Sequence, residues 1–336
     1  MQYKTGLFGG TFDPPHLGHL RLLLRAAGCC EQLYVLLSCS AGSDRIAPEY
    51  RWRWLGEMTA HLPNVTLLLE RTEGPKQAYD WDAGAAFVRD RIGGEPDVVF
   101  CGSDYVDGGP LRSMYPHAEI VTEDRSVVPV SSREICAAPF RYWDYLPLAV
   151  RPYFVKTVAI VGSESTGKST LAQSLALRFG TEWVPEAARE ICLHAGGEET
   201  MVAEDLQECL LRQKVAVWDA KRRANKLLFV DTETVTTGFY IRFLLEQSPE
   251  RDRTEALADA LAAVNAFDLV LFLEPDVRFV MDGTRSERIR DDRASANAAL
   301  KAAFDRAGVR CRSISGDYAA RFLAAEALVQ KELCYE

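Results

Sequence analysis

Two histidines three residues apart, His16 and His19, close the stretch "GLFGGTFDPPHLGH" in H-x-G-H spacing. Imidazoles so paired hold zinc, pack as structural groups, or donate to phosphate oxygens. Zinc sites with two histidines favour i, i+4 helical spacing and a third ligand. The remaining histidines, His61, His117 and His194, fall in no ligand-like cluster. The flanks favour phosphate. A strand-like run and a glycine turn precede the pair, and the helix-like "LGHLRLLLRAAG" follows, setting both rings at a helix N-terminus where anions collect. Gly18 has no side chain to keep a phosphate from the backbone. Such a site stabilises charge developing on a phosphate during in-line attack and needs no enzyme nucleophile, because a substrate phosphate can attack the α-phosphate of ATP.

A second constellation is "VAIVGSESTGKSTLAQSLA", which fits G-x-x-x-x-G-K-[ST] at Gly162, Gly167, Lys168 and Ser169. It follows a buried-strand pattern and opens a helix. The backbone N–H groups of Ser163, Glu164, Ser165 and Thr166 are expected to wrap phosphates there, with Thr170 beside them. Lys168 reaches the β- and γ-phosphates, and the Ser169 hydroxyl ligates Mg²⁺. In "LLFVDTET", Asp231 ends an apolar strand as either a loop N-cap or a second Mg²⁺ carboxylate. "DGTRSERIRDDR" brings Arg285, Arg288, Arg290 and Arg293 among acids, as a solvated charged helix or as a lid whose arginines clamp phosphoryl oxygens. "VPEAARE" sets Glu186 and Arg189 three apart on one expected helical face, as an ion pair or as groups that hold or deprotonate a sugar hydroxyl. These residues define an ATP-dependent kinase or ATPase without naming the acceptor.

The elements needed to position these groups are visible. "KTGLFGG", "LYVLLS", "VTLLLE", "DVVFCGS" and "AEIVTED" read as strands alternating with helices, and after the aromatic, proline-rich "APFRYWDYLPLAVRPYFVK" the alternation restarts with "TVAIVGS", "KLLFVDTET" and "DLVLFLEP". This predicts an α/β chain of two domains, 1–148 and 149–336, each with a mostly parallel sheet, joined by a packed connector. The length of 336 residues is enough for two cores. The net charge of −9 argues against binding nucleic acid by bulk electrostatics, and so against DNA as a partner. The nine scattered cysteines, without a C-x-x-C pair, and the lack of a signal or spanning segment predict reduced thiols in a cytoplasmic protein off the membrane. Oligomeric state is left open.

"GGTFDPPHLGH" resembles the signature of the H-x-G-H nucleotidyltransferases, and the whole chain resembles the bifunctional NadR family. The other stretches that carry the resemblance are "PEYRWRWLGEMTAHLPNV", the connector, "GSESTGKSTLAQ", "VPEAARE" and "DGTRSERIRDDR". The resemblance implies a Rossmann-like nicotinamide mononucleotide adenylyltransferase joined to a P-loop ribosylnicotinamide kinase. Together they would convert nicotinamide riboside to its mononucleotide and then to NAD, with Mg²⁺ and ATP as co-substrate in both steps. It also implies that Gly9, Thr11, Phe12 and Gly18 meet the nucleotide. Family members often carry an N-terminal helix-turn-helix repressor domain; this chain begins at the first strand, so repression is not expected.

A second superfamily motif, resembling I-S-S/G-T-x-I-R, aligns with "VPVSSREICAAPFRYW". Ser131 and Ser132 match, but Arg133 stands at the threonine and Cys136 at the terminal arginine. Cysteine supplies no charge-assisted bond to phosphate. Arg133 compensates from one turn earlier, the activity is weakened, or the N-terminal half is a nucleotide sensor. Trp81 in "YDWDAG" is either a core residue or the face that stacks a cationic nicotinamide ring. Asp104, with Tyr105, follows a strand end on the expected ligand rim. A fusion acting on coenzyme A precursors is the nearest rival enzyme.

Overall fold

The computed structural model of the chain describes residues 2–74, 79–102, 109–281 and 285–333. The chain divides into two compact units, 1–153 and 154–336. The division lies beyond the boundary expected after residue 148 because Tyr153 still packs with the first unit, its ring 5.1 Å from Tyr50 and 5.4 Å from Trp54.

In the first unit the strands are β1 (Tyr3–Gly10), β2 (Cys30–Ser40), β3 (Val65–Thr72), β4 (Val98–Gly102) and β5 (Glu119–Glu123), in the order β3-β2-β1-β4-β5. All pairings are parallel. Helices α1 (Leu17–Cys29), α2 (Pro48–Thr59), α3 (Trp81–Ile92), α4 (Gly109–Met114) and α5 (Ser132–Ala137) accompany them. Covered on both faces, the strands read as apolar runs: Leu33, Val35 and Leu37 face one core with Leu23 and Ala26 of α1, and Leu7, Leu36 and Val99 face the other with Val88 of α3. The connector is packed as expected, with Trp143, Leu146 and Val150 buried. It ends in the single turn α6 (Arg151–Phe154).

The second unit orders its strands β10-β9-β6-β8-β7, all parallel: β6 (Lys156–Val161), β7 (Glu182–Val184), β8 (Leu227–Asp231), β9 (Leu269–Leu273) and β10 (Cys311–Ile314). The edge strands β7 and β10 carry no apolar run in the sequence, being too short for a period to show. The helices are α7 (Lys168–Phe179), α8 (Ala188–Ala195), α9 (Ala203–Lys221), α10 (Thr234–Leu244), α11 (Pro249–Val264), α12 (Glu287–Asp291), α13 (Arg293–Arg306) and α14 (Tyr318–Glu332). Among the described residues no helix is long and apolar enough to cross a membrane.

Candidate active sites

In the first unit the strand order reverses at β1, between β2 and β4, and ligands of doubly wound sheets bind at the carboxyl ends of strands around such a reversal. The turn after β1 delivers His16 there as the N-cap of α1. His16 Nδ1 accepts the Gly18 N–H at 3.1 Å, and His19 Nδ1 accepts the His16 N–H at 3.2 Å. With Nδ1 an acceptor, the neutral ring carries its proton on Nε2, as a donor. The two rings lie 3.9 Å apart.

This geometry adds a reason for glycine at position 18. Its N–H is committed to His16, and a Cβ there would sit 2.9 Å from His16 Cε1. Glycine makes room for the imidazole, and it lines a cavity together with both histidines. Phe12 is likewise a support. Buried at left-handed φ 46°, it sets its ring 5.0 Å from His19 and lines neither cavity of this unit.

The turn is anchored from the strand-to-helix segment after β2. Buried Asp13 accepts the Arg45 and Ile46 N–H groups, each at 2.9 Å. Arg51, fully buried on α2, donates to the Thr11 carbonyl at 2.8 Å and to the Asp44 carboxylate. Sequence reading missed Arg45 and Arg51. Nothing in "SDRIAPEYRW" distinguishes an arginine that folds under the site from one that faces water.

Two cavities flank the histidines. One of about 320 Å³ is lined by Gly9, Thr11, both histidines, Ser38, Tyr79 and Trp81, among others. Trp81, 36% exposed, meets Tyr79 edge to face at 5.0 Å, so it is a cavity wall and not a core residue. The other, polar and about 200 Å³, brings Thr11, His16 and His19 together with Arg45, Ser131, Ser132 and Arg133. Ser131 caps α5 through Glu134, and the Ser132 hydroxyl donates to the Pro14 carbonyl at 2.8 Å, so both hydroxyls build the wall. Cys136 is tucked against the Asp13 carbonyl, its thiol pKa raised by burial. Arg133 faces the cleft. Asp104 and Tyr105 lie outside the described residues.

In the second unit the loop between β6 and α7 curls around Ser163, whose carbonyl accepts from Thr166 Oγ1 at 2.8 Å and from Lys168 Nζ at 3.3 Å. Gly167 opens α7 from a left-handed conformation. Because β6 and β8 are paired neighbours, Ser169 at the start of α7 meets Asp231 at the end of β8, the hydroxyl donating at 2.5 Å. Burial, and then Glu186, raise the Asp231 pKa to about 6, against the pull of Lys168 and the Ser169 bond.

A cavity of about 250 Å³ opens beside the loop. It is lined by loop residues Glu164 to Thr170, by Glu186, Arg189 and Arg285, and by Glu198, Met201 and Tyr240. Glu186 lies in the turn before α8, not on a helical face with Arg189, because the helix starts only at Ala188. Gln213 of α9 fixes that turn: its Oε1 accepts the Ala187 N–H at 2.9 Å and its Nε2 donates to the Asp231 carbonyl at 3.2 Å.

The arginine run separates by role. Arg285 donates to Ser165 Oγ at 2.9 Å and Arg293 to the Ser165 carbonyl at 2.9 Å, both docking onto the phosphate loop. Arg288 lies over the Phe243 ring, 4.6 Å from its centre, and its charge reaches Glu198 in the cavity wall. Arg290 pairs with Asp291 and Glu287. Residues 282–284 lie outside the described residues. Glu198, Tyr240 and Gln213 escaped sequence reading because no motif marks them. Tyr240 donates to Glu164 at 3.3 Å, and the Glu198 pKa is pushed up to about 7 by burial and then by Glu164, against a hydrogen bond from the Ser286 side chain.

The family described as cytidylyltransferase-like matches residues 7–162, and that described as an AAA domain matches residues 157–321. The trifunctional NAD biosynthesis/regulator protein NadR of Escherichia coli (strain K12) is 30% identical over 349 residues, covering 98% of this chain and 84% of that protein. Two crystal structures share the fold: NadR in complex with NR (TM-score 0.84, 21% identity, 98% of this chain and 96% of that one), and NadR in complex with NAD and AMP-PNP (TM-score 0.82, 22% identity, 99% and 97%).

Proposed function

The chain belongs to the NadR family, and on that premise we propose that it makes NAD in two steps at two sites. The second unit transfers the γ-phosphoryl group of ATP to the 5′-hydroxyl of nicotinamide riboside. The first unit joins the resulting mononucleotide to the adenylyl group of ATP and releases pyrophosphate. The observation that carries this reading is the presence in one chain of two separate phosphate-binding constellations, each at the carboxyl ends of its own parallel sheet.

In the kinase unit Lys168, with the backbone of the loop, holds the phosphate chain. Arg285, held by Ser165, faces the phosphoryl group as its charge spreads over the equatorial oxygens. Glu186 and Arg189 position the riboside, with Glu186 taking the hydroxyl proton. The Ser169 hydroxyl and the buried Asp231 carboxylate are hard oxygen donors in contact, a pair suited to Mg²⁺. When bound, the ion neutralises charge on the β- and γ-phosphates.

In the adenylyltransferase unit the mononucleotide phosphate attacks the α-phosphorus of ATP, and the P–O bond to pyrophosphate breaks. The Nε2–H groups of His16 and His19 stabilise the charge on the phosphate oxygens. Arg133 and Arg45 hold the leaving pyrophosphate and replace the arginine that Cys136 displaces. Trp81 carries the pyridinium ring.

The test is to incubate the purified protein with Mg·ATP and either nicotinamide riboside or its mononucleotide, and to resolve the products by chromatography. NAD from both supports the reading. Mononucleotide from the riboside but no NAD from either would leave a kinase with an inactive first unit.

A further inference from the structure

The floor of the larger cavity in the first unit is built around a buried carboxylate that the proposed chemistry does not use. Glu70 of β3, only 6% exposed, lies in register with Ser38 of β2. The Ser38 hydroxyl donates to Glu70 Oε2 at 3.0 Å, and the Tyr79 hydroxyl donates to Oε1 and Oε2 at 3.0 and 2.8 Å. Burial and Glu70 raise the Tyr79 pKa far above its ordinary value, so the phenol keeps the proton it donates. A hydroxyl has one proton and two lone pairs. With their protons taken up by Glu70 and by the contact between Ser38 and Tyr79, the two hydroxyls present lone pairs to the cavity they line, backed by a buried carboxylate. Gly84 of α3 makes this possible, because a Cβ there would sit 2.0 Å from the Tyr79 hydroxyl oxygen.

We propose that Glu70, acting through Ser38 and Tyr79, makes this cavity select a pyridine carboxamide over the corresponding carboxylate. An amide NH₂ donates to the two acceptor oxygens; a carboxylate has no proton to give and meets two oxygens of like polarity. Trp81 meets Tyr79 edge to face, so a ring stacked on it lies beside this floor. Glu70 is a positioning residue, and the proposal rests on the adenylyltransferase reading of the same cavity.

The test compares nicotinamide mononucleotide with nicotinate mononucleotide, by pyrophosphate release with Mg·ATP and by calorimetric binding without ATP. The wild-type protein is expected to prefer the amide by about a hundredfold in kcat/KM and in affinity, since a site built to accept hydrogen bonds rejects an analogue that lacks the donor. In Glu70→Gln the side-chain NH₂ replaces one acceptor by a donor, so at least one hydroxyl proton is freed to turn into the cavity. That variant and Tyr79→Phe should cut the preference about tenfold or more, mainly through KM, while the kinase activity of the same preparation stays at the wild-type rate and so reports folding. Unchanged selectivity in both variants, or equal binding of amide and acid by the wild type, overturns the proposal. Selective binding that Glu70→Gln abolishes, without turnover of either nucleotide, would sustain it while removing the adenylyltransferase reading.

Discussion

The Ser169 hydroxyl donates a 2.5 Å hydrogen bond to the Asp231 carboxylate, joining the first turn of α7 to the end of β8. Adjacent parallel strands make this meeting, since Ser169 follows the carboxyl end of β6 and Asp231 ends its paired neighbour β8. Asp231→Asn leaves the hydroxyl a neutral acceptor but removes the charge available to a divalent cation. Riboside phosphorylation should fall by about a hundredfold or more, with the apparent Mg²⁺ requirement shifted upward and adenylylation of the mononucleotide unchanged. Rates measured across a Mg²⁺ titration check both halves of the statement.

Gly18→Ala is expected to act on the histidines through space alone. Its Cβ meets His16 Cε1 at 2.9 Å, so the ring must leave the helix N-terminus and give up the Gly18 N–H. Misplacement of about 1 Å costs on the order of a hundredfold in rate, while alanine is otherwise well suited to a helix. Loss of adenylylation with little change in Tm is the expected result.

Arg133 and Cys136 stand on one short helix with different surroundings. Arg133→Ala should raise the KM for ATP in adenylylation about tenfold or more, as loss of a charge-assisted phosphate contact does, whereas Cys136→Ser should leave it near wild type. Steady-state kinetics at varied ATP separates the two.

Arg51 is the buried cation beneath the first site, paired with Asp44 and holding the Thr11 carbonyl. Arg51→Met leaves Asp44 without its charge partner, for which a loss of about 3–5 kcal/mol is typical. Denaturant unfolding measures it.

Glu198 sets a pH dependence whose sign is fixed by burial. Its pKa rises from 4.5 to about 7 in the folded chain, so the native state holds more protons than the unfolded state between those values, and stability falls as pH rises through that window. Glu233, raised to about 7 by burial, and Asp231, raised to about 6, add to the same fall. Glu198→Gln should match wild type in Tm near pH 5 and exceed it at pH 8, flattening the profile without abolishing its slope.

Much of this was legible in the sequence because it depends on local pattern. The turn-and-helix context of His16 and Lys168 is written within twenty residues of each, and the apolar runs of β1 and β6 announce buried parallel strands. What escaped depends on contacts distant in sequence. Arg45 and Gln213 lie far along the chain from the groups they hold, and Glu198 reaches its cavity through a glycine-closed turn after α8, where Gly196 and Gly197 have positive φ. Glu186 was placed on a helix that begins two residues later, because Pro185 and Ala187 do not mark the boundary. Arg285 and Arg293 dock on the phosphate loop, while Arg288 lies on the Phe243 ring, a contact that no periodicity reveals.

The central claim is that one chain holds two independent sites that act in series, and crossed single-site variants test it most directly. Lys168→Ala should make NAD from nicotinamide mononucleotide but nothing from the riboside. His19→Ala should make mononucleotide from the riboside and no NAD, and the two proteins mixed should carry the riboside through to NAD. Loss of both activities in either folded variant, or a mixture that fails to make NAD from the riboside, would contradict the account.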